Sequence, residues 1–371
     1  MKLLKIVPEI YKFDNTKEFV DFFNIGKGDL ILTNKFLYEP FLKKYEKGAY
    51  VVFQEEYGAG EPSDEMINSI IKDIGNAKYK RVVALGGGTV IDIAKLLRLK
   101  YTKDSLDLFD GKVPLIKNKK LIIVPTTCGT GSEVTNVSVA ELKSKHTKKG
   151  IAGDQLYADY AVLIPEVVKG LPYKFFVTSS VDALIHASES YLSPKATPYT
   201  EMFSIKAIKL ILNGYVDILK NGQDYRTEII DDFVLGSNYA GIAFGNAGCA
   251  AVHALSYPIG GNYHVPHGEA NYLFFTEIFK TYVKKNPQGK IKNLNNLLSG
   301  ILHCDQNSVY ENLTKVLDKL LPRKPLREYG MKEEEIQIFT DEVIKGQQRL
   351  LVNSYEPFSR QDIINTYKKL Y

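Results

Sequence analysis

Over the first 165 residues, apolar positions fall into short runs set between polar punctuation. LILT at 30–33 and AYVVF at 49–53 are compact runs flanked by Gly or Asn, the mark of buried strands. DEMINSIIKDI at 64–74 spaces Met66, Ile67, Ile70, Ile71 and Ile74 along one helical face, with Ser63 or Asp64 available as its cap. RVVAL at 81–85 is a β-branched run that enters Gly86-Gly87-Gly88-Thr89, and 90–99 continues as a helix. LIIV at 121–124 leads into PTTCGTGSE at 125–133, and AVLI at 161–164 is the last buried strand. Strands alternating with helices predict a doubly wound, mostly parallel sheet.

Beyond about residue 165 the pattern changes to i, i+3, i+4 spacing with short breaks. Helices are predicted at 179–191, 200–219, 231–244, 248–259, 269–283, 308–321, 333–344 and 360–370. No internal repeat or low-complexity segment interrupts them. The expected fold is an α/β, Rossmann-like domain over 1–175 followed by an all-α domain over 176–371, a length that suits two domains.

Composition narrows the function classes. The chain is 44% hydrophobic and 25% charged with a net charge of +5, and its lysines are dispersed, so no nucleic-acid footprint is read. The densest basic run, KSKHTKK at 143–149, reads as a solvated loop, and the mild positive excess suits an anionic substrate or cofactor. Cys128, Cys249 and Cys304 are odd in number and form no C-x-x-C pair, which argues for a reducing compartment and against a thiolate cage. The start MKLLKIVPEI has no uninterrupted apolar core of a signal peptide, and no apolar run approaches the roughly 18 residues that span a membrane. A cytoplasmic protein without membrane or nucleic-acid partners is expected.

Two loops carry the first candidate chemistry. A strand entering three glycines and opening a helix lets backbone N–H groups approach a phosphate at a helix N-terminus. A tight βα turn needs such glycines too. The second loop, 125–133, offers three Thr and one Ser hydroxyl after another buried strand. Two such loops at strand carboxyl ends point to a dinucleotide site.

The second candidate lies in 246–270, NAGCAAVHALSYPIGGNYHVPHGEA, which holds His253, His264 and His267. It reads as a helix end, a Gly-Gly turn, and a helix opening at Pro266-His267. Asp182 and His186 are neighbours at i and i+4, a spacing that a local hydrogen bond alone would also explain. Asp182, His186, His253 and His267 together make a four-ligand set that suits Fe²⁺ or Zn²⁺ alike, with a position left for substrate oxygen.

These residues carry a resemblance. GGGTVIDIAK at 86–95, PTTCGTGSEVT at 125–135, DALIHASESYLS at 182–193 and HALSYPIGGNYHVPHGEAN at 253–271 resemble, in order, the motifs of the iron-containing (group III) alcohol dehydrogenases. The resemblance covers essentially the whole chain. It implies a Rossmann-like domain, a helical metal-binding domain, an active site in the cleft between them, and a homodimer. By motif position Asp182, His186, His253 and His267 would bind Fe²⁺ or Zn²⁺. Gly86, Gly87, Gly88, Thr89, Thr126, Thr127 and Thr130 would hold NAD, with Asp92 and Lys149 as further cofactor candidates. Asp92 and Lys95 occupy the family's D-x-x-K positions, where a helix-surface ion pair is the alternative.

Two positions depart from the family pattern. Tyr257 stands where a second catalytic His is common; a phenol can relay a proton, although its ordinary pKa is near 10. Asn34 stands where NAD-preferring members often carry Asp. Asn accepts from the ribose 2′-OH but does not repel a 2′-phosphate, which leaves both NAD and NADP open. Cys128 and Cys249 read as packing residues, and His146 and His303 as histidines without partners. His264 is either a structural histidine or a cation for a substrate carboxylate, and with Tyr257 it is a catalytic candidate.

The resemblance implies hydride transfer between an alcohol or aldehyde and a nicotinamide, with the metal polarising the substrate oxygen. YLSPKATPYTE at 191–201 and GGNYHVPHGEAN at 260–271 look most like the branch that interconverts 4-hydroxybutyrate and succinate semialdehyde. The alternatives are a neutral primary alcohol or diol as substrate, or a dehydroquinate-synthase-like lyase. The lyases use Glu where this chain has Asp182.

Overall fold

The computed structural model describes residues 2–100, 103–145 and 147–371. Contacts divide the chain into two compact units. One is Ile6–Leu171; the other is Pro172–Tyr371, joined by the N-terminal stretch that ends at Lys5.

The first unit contains β1 (Glu9–Lys12), β2 (Asp29–Thr33), β3 (Tyr50–Phe53), β4 (Arg81–Gly86), β5 (Lys120–Pro125), β6 (Val137–Leu142), β7 (Thr147–Ala152) and β8 (Tyr160–Leu163). Six of these form a parallel sheet in the order β1-β8-β5-β4-β2-β3, while β6 and β7 pair antiparallel. Helices α1 (Thr16–Phe23), α2 (Lys35–Leu37), α3 (Asp64–Ile74), α4 (Gly88–Leu97), α5 (Ser105–Phe109) and α6 (Pro165–Lys169) connect them. β2 is buried along its whole length, and β4 and β5 at all but their first residue. That is why their sequences are continuous apolar runs rather than alternating ones. From β2 the chain steps outward to β3, then returns past β2 to β4 and proceeds the other way to β5. The order therefore reverses between β2 and β4, where ligands of such sheets bind at the strand carboxyl ends.

Elements α1, α5, β1 and β6 go beyond the elements expected from the apolar pattern, and the reading of the basic run needs correction. β1 (EIYK) was not predicted; it is a mostly exposed edge strand without an apolar run, held by register with β8 (Glu9 opposite Tyr160). The basic run at 143–149 is not a solvated loop. Lys143–Lys145 forms a single turn, and Thr147 onward is β7, paired with β6 through Lys149 opposite Ala140. His146 lies outside the described residues.

The second unit is helical: α7 (Tyr173–Leu192), α8 (Pro198–Asn221), α9 (Ile230–Ala247), α10 (Ala251–Tyr263), α11 (His267–Lys285), α12 (Lys290–Leu302), α13 (Val309–Leu320), α14 (Glu335–Gly346), α15 (Gln348–Leu351) and α16 (Arg360–Leu370). α7 is its axis. Every residue from Phe176 to Leu192 except Ser179 is buried, as expected of a helix packed on all sides. It contacts α8, α9 and α11. α8 opens on a capping box, in which Thr197 and Thr200 satisfy each other's backbone N–H, with Pro198 in its first turn.

Glycine sets one separation on which the site depends. A Cβ on Gly268 would lie 2.5 Å from the Thr178 carbonyl oxygen, so only glycine lets α11 approach α7 this closely. The N-terminal stretch joins this unit through specific bonds. Lys5 N donates to Asn246 Oδ1 (2.7 Å), Asn246 Nδ2 donates to Lys5 O (3.0 Å), and Thr197 Oγ1 donates to Leu3 O (2.8 Å). Among the described residues, no helix is long and apolar enough to cross a membrane.

Candidate metal centre and nucleotide loops

On α7 the spacing 182, 186, 189 places Asp182, His186 and Glu189 along one helical face. His253 sits in the first turn of α10, and His267 is the first residue of α11. One donor atom from each of Asp182, His186, His253 and His267 lies within 4.8 Å of all the others. His253 Nε2 is 3.0 Å from His186 Nε2 and 3.8 Å from Asp182 Oδ1; His267 Nε2 is 4.0 Å from the same oxygen. Two imidazole lone pairs 3.0 Å apart repel unless a proton or a cation lies between them. Asp182, His186 and His253 are buried, while His267 is one-third exposed and marks the side open to a ligand.

The supporting groups fix this geometry. Glu189, which sequence reasoning missed, does three things from one carboxylate. Its Oε2 lies 2.6 Å from His253 Nδ1, and its oxygens accept from Ala250 N (2.9 Å) and Val252 N (2.6 Å). It thereby caps α10, which has no side-chain cap of its own, and holds His253 with Nε2 facing the cluster. Burial disfavours a charged His253, yet its pKa is raised well above the ordinary value by the neighbouring Cys249 and Glu189. Burial pushes the Cys249 thiol up. Asn271, one turn after His267, donates from Nδ2 to Asp182 Oδ1 (2.8 Å) and is fixed by Ser256 Oγ donating to its Oδ1 (2.5 Å). Burial alone would raise the Asp182 pKa, but the three imidazoles hold it below the ordinary carboxylate value. Glu189 lies inside the motif DALIHASESYLS, and the i, i+4, i+7 spacing was the signal available.

The predicted turn between the histidines is revised. Gly260 and Gly261 lie inside α10, as does Pro258. The helix ends at His264, which adopts the left-handed conformation (φ 53°) of a helix terminus and is exposed. His264 is not one of the four converging side chains. Tyr257, one turn beyond His253, has its ring 6.3 Å from that of His267, and its hydroxyl accepts from Arg349 Nη2 at 3.3 Å. His303 likewise ends its helix, α12, in the left-handed conformation (φ 51°) and is exposed.

The second candidate site is built mainly from backbone. Gly87 caps α4 without a side chain, so the first amides of this helix lack a side-chain acceptor. A Cβ on Gly86 would meet Val90 at 2.6 Å, so the strand-to-helix turn itself demands glycine. Across from it, the Thr127 hydroxyl is buried and has no hydrogen-bond partner among the described residues. An uncapped helix start beside a residue with an unsatisfied hydroxyl fits the phosphates and polar edge of a dinucleotide. Thr126 N is bonded to Gly86 O (3.1 Å), which ties the two loops together. The Thr89 hydroxyl is already used by Gly60 O (2.9 Å), and Thr130 Oγ1 accepts from Ser132 N (3.3 Å). Asn34, just after β2, donates from Nδ2 to Glu55 Oε2 (2.8 Å) and Gln54 Oε1 (3.2 Å). Lys149 Nζ lies 4.0 Å from Asp110, a carboxylate that also meets Lys145 and Lys112.

Asp92 and Lys95 are not a helix-surface pair. Lys95 is fully buried, its Nζ donating to Ser132 Oγ (2.6 Å), Thr135 Oγ1 (3.2 Å) and Val137 O (2.7 Å). Asp92 accepts from Ser132 Oγ (2.9 Å) and Val139 N (3.0 Å). Burial pushes the carboxyl pKa up and the ammonium pKa down, while their mutual attraction at 3.6 Å opposes both shifts. The pair holds the 125–135 loop and β6 against α4.

Residues 5–165 match the family described as iron-containing alcohol dehydrogenase, and residues 176–371 match the C-terminal part of the Fe-containing alcohol dehydrogenase family. The chain is 75% identical to 4-hydroxybutyrate dehydrogenase of Clostridium kluyveri over 371 residues, covering 100% of both chains. It is 33% identical to long-chain-alcohol dehydrogenase 1 of Geobacillus thermodenitrificans over 319 residues, covering 83% of this chain and 79% of that one. Among solved structures, sulfoacetaldehyde reductase from Bifidobacterium kashiwanohense in complex with NAD+ shares the fold, with a TM-score of 0.85 at 20% identity over 100% of this chain and 99% of that one. By its two family matches and its full-length relative, the chain belongs to the iron-containing alcohol dehydrogenases.

Proposed function

We propose that the chain interconverts 4-hydroxybutyrate and succinate semialdehyde, with NAD(H) as the hydride carrier and Fe²⁺ (or Zn²⁺) held by Asp182, His186, His253 and His267. The observation that carries this reading is 75% identity over the full length of a 4-hydroxybutyrate dehydrogenase, joined to the convergence of these four donors. The donor set accepts either metal. A homodimer in the cytoplasm is the proposed setting, consistent with three free cysteines.

A divalent cation at this centre supplies Lewis acidity toward a substrate oxygen, and a nicotinamide supplies the hydride chemistry. The chain's own residues do the rest. Glu189 fixes the His253 tautomer, and Asn271 orients the Asp182 carboxylate and lies 3.2 Å from His267 Nε2. Tyr257 accepts a hydrogen bond from Arg349, which directs its own O–H elsewhere. In aldehyde reduction that proton is the one we assign to the substrate oxygen, and in alcohol oxidation it returns.

For the cofactor, we read Glu55 as taking the part of the acidic residue absent at position 34. Its Oε2 sits 2.8 Å from Asn34 Nδ2 and its Oε1 accepts from Lys35 N at 2.6 Å, at the carboxyl ends of β2 and β3. A carboxylate there repels a 2′-phosphate, which favours NAD over NADP. Glu55→Gln is expected to raise NADPH affinity about tenfold relative to NADH by fluorescence titration, a modest like-charge effect of ~1.4 kcal/mol. An unchanged ratio removes Glu55 from the argument.

The deciding assay is steady-state turnover of anaerobically purified, metal-loaded protein with succinate semialdehyde and with butyraldehyde. A preference for butyraldehyde refutes the substrate reading. NADH should be consumed stoichiometrically; a lyase of the related type would show no net consumption.

A further inference from the structure

The proposed substrate carries a carboxylate, and this inference rests on that reading. The buried carboxylates of Asp182 and Glu189 already balance a divalent cation, so the centre has no positive charge left over. The carboxylate needs its own cation, within reach of the metal centre.

Several cations of the helical unit are committed elsewhere. Lys174 pairs with Glu269 (2.8 Å), Lys285 with Asp362 (2.6 Å), Arg323 with Asp318 (2.7 Å) and Arg360 with Asp341 (2.9 Å). Arg349 differs. No carboxylate lies within ion-pair distance of it among the described residues. Its one side-chain hydrogen bond goes to Tyr257 Oη, with the guanidinium carbon 5.8 Å from that ring. The Tyr257 ring in turn lies 6.3 Å from that of His267, so one aromatic side chain separates Arg349 from a metal-ligand candidate.

The position of Arg349 is set by structure rather than by chance. Asn353 Nδ2 donates both to Arg349 O (3.2 Å) and to Cys249 O (2.9 Å), which ties α15 to the segment that leads into α10. Gly248 permits this contact, since a Cβ there would lie 2.6 Å from Asn353 Nδ2. Leu350 is buried and anchors the same turn. With the backbone held and one N–H spent on Tyr257, the guanidinium keeps N–H groups for a planar anion, which it binds through two parallel bonds.

We infer that Arg349 binds the substrate carboxylate beside Tyr257 and is a specificity-determining residue for ω-hydroxy and ω-oxo carboxylates. An extended four-carbon substrate spans roughly 5 Å from its hydroxyl oxygen to its carboxyl carbon, from bonds of about 1.5 Å. Such a substrate would lie along the Tyr257 ring, which is 6.3 Å from the His267 ring and 5.8 Å from the Arg349 guanidinium carbon.

The test compares kcat/KM for succinate semialdehyde and butyraldehyde in the metal-loaded wild type, Arg349→Gln and Arg349→Lys, with calorimetric titration of succinate as a second readout. Wild-type preference for succinate semialdehyde tests the substrate reading; its absence overturns that reading and this one together. Given the preference, Arg349→Gln is expected to lose roughly 10- to 100-fold more on succinate semialdehyde than on butyraldehyde, the worth of charge-assisted hydrogen bonds, because any disturbance of Tyr257 falls on both substrates alike. Succinate affinity should fall in parallel, and Arg349→Lys should recover part of both. If Arg349→Gln keeps the preference, or loses both substrates equally, Arg349 is not the carboxylate site, while the substrate reading stands.

Discussion

The two candidate centres of this chain are built on opposite terms. The metal centre is made of side chains that satisfy one another: Asp182 is held by Asn271, His253 by Glu189, and Asn271 by Ser256. The nucleotide loops are made of backbone and of groups left wanting: an uncapped helix start at Gly87 and a buried Thr127 hydroxyl with no partner among the described residues. One site holds its geometry through its own bonds. The other is completed by what it binds. Substitutions at the four donors and their partners should therefore damage the first in both stability and ligand affinity, whereas loss of the Thr127 hydroxyl should damage the second in ligand affinity alone.

The largest effect is expected from His267→Ala, which removes the most accessible of the four donors. Bound metal should be lost and kcat/KM should fall about a thousandfold, the several kcal/mol that such a centre supplies. A variant with full metal content and full rate would falsify the ligand assignment. Next comes Glu189→Gln, which weakens the hold on His253 but leaves all four donors. Metal affinity measured by chelator competition should drop roughly 10- to 100-fold. No change would mean that Glu189 only caps α10. Gly268→Ala probes the same centre through packing alone. The added methyl should separate α11 from α7, cost about 1–3 kcal/mol in thermal unfolding, and weaken metal binding without touching a donor. Normal metal affinity in a destabilised protein would uncouple the helix approach from the site. Smallest is Thr127→Val in the other centre. NADH should bind several-fold more weakly, while the melting temperature holds or rises, because a buried unsatisfied hydroxyl is removed. A clear fall in melting temperature would show that the comparison is wrong for this loop.

Legibility in the sequence followed the same division. Strands buried on both faces, such as β2, β4 and β5, wrote themselves as apolar runs, whereas the exposed edge strand β1 left almost no signal. β6 and β7 pair as a hairpin rich in lysine, and charge masked their extended structure. In the helical half, Pro258 and Gly260-Gly261 suggested a break, yet burial of Pro258 and Ile259 carried α10 through to Tyr263. Tertiary packing there outweighed local propensity. The four donors could be named because their identities are chemically unusual. Glu189 and Arg349 escaped notice because a carboxylate and a guanidinium are common residues. Only their partners, His253 and Tyr257, give them meaning.

The bonds from Leu3 and Lys5 to Thr197 and Asn246 bear on the order of synthesis. Leu3 and Lys5, made before Ile6–Leu171, belong to a unit whose other residues are made after it. Ile6–Leu171 is contiguous and has its own core, so it can fold as it emerges, whereas Lys5 must wait through more than two hundred residues for Asn246. Closing so long a loop costs only slightly more than closing a short one, because the entropy grows with the logarithm of length. The stretch through Leu3 and Lys5 is thus a late fastener, and Asn246→Ala should slow the last phase of refolding while leaving the Ile6–Leu171 core to form at its own rate.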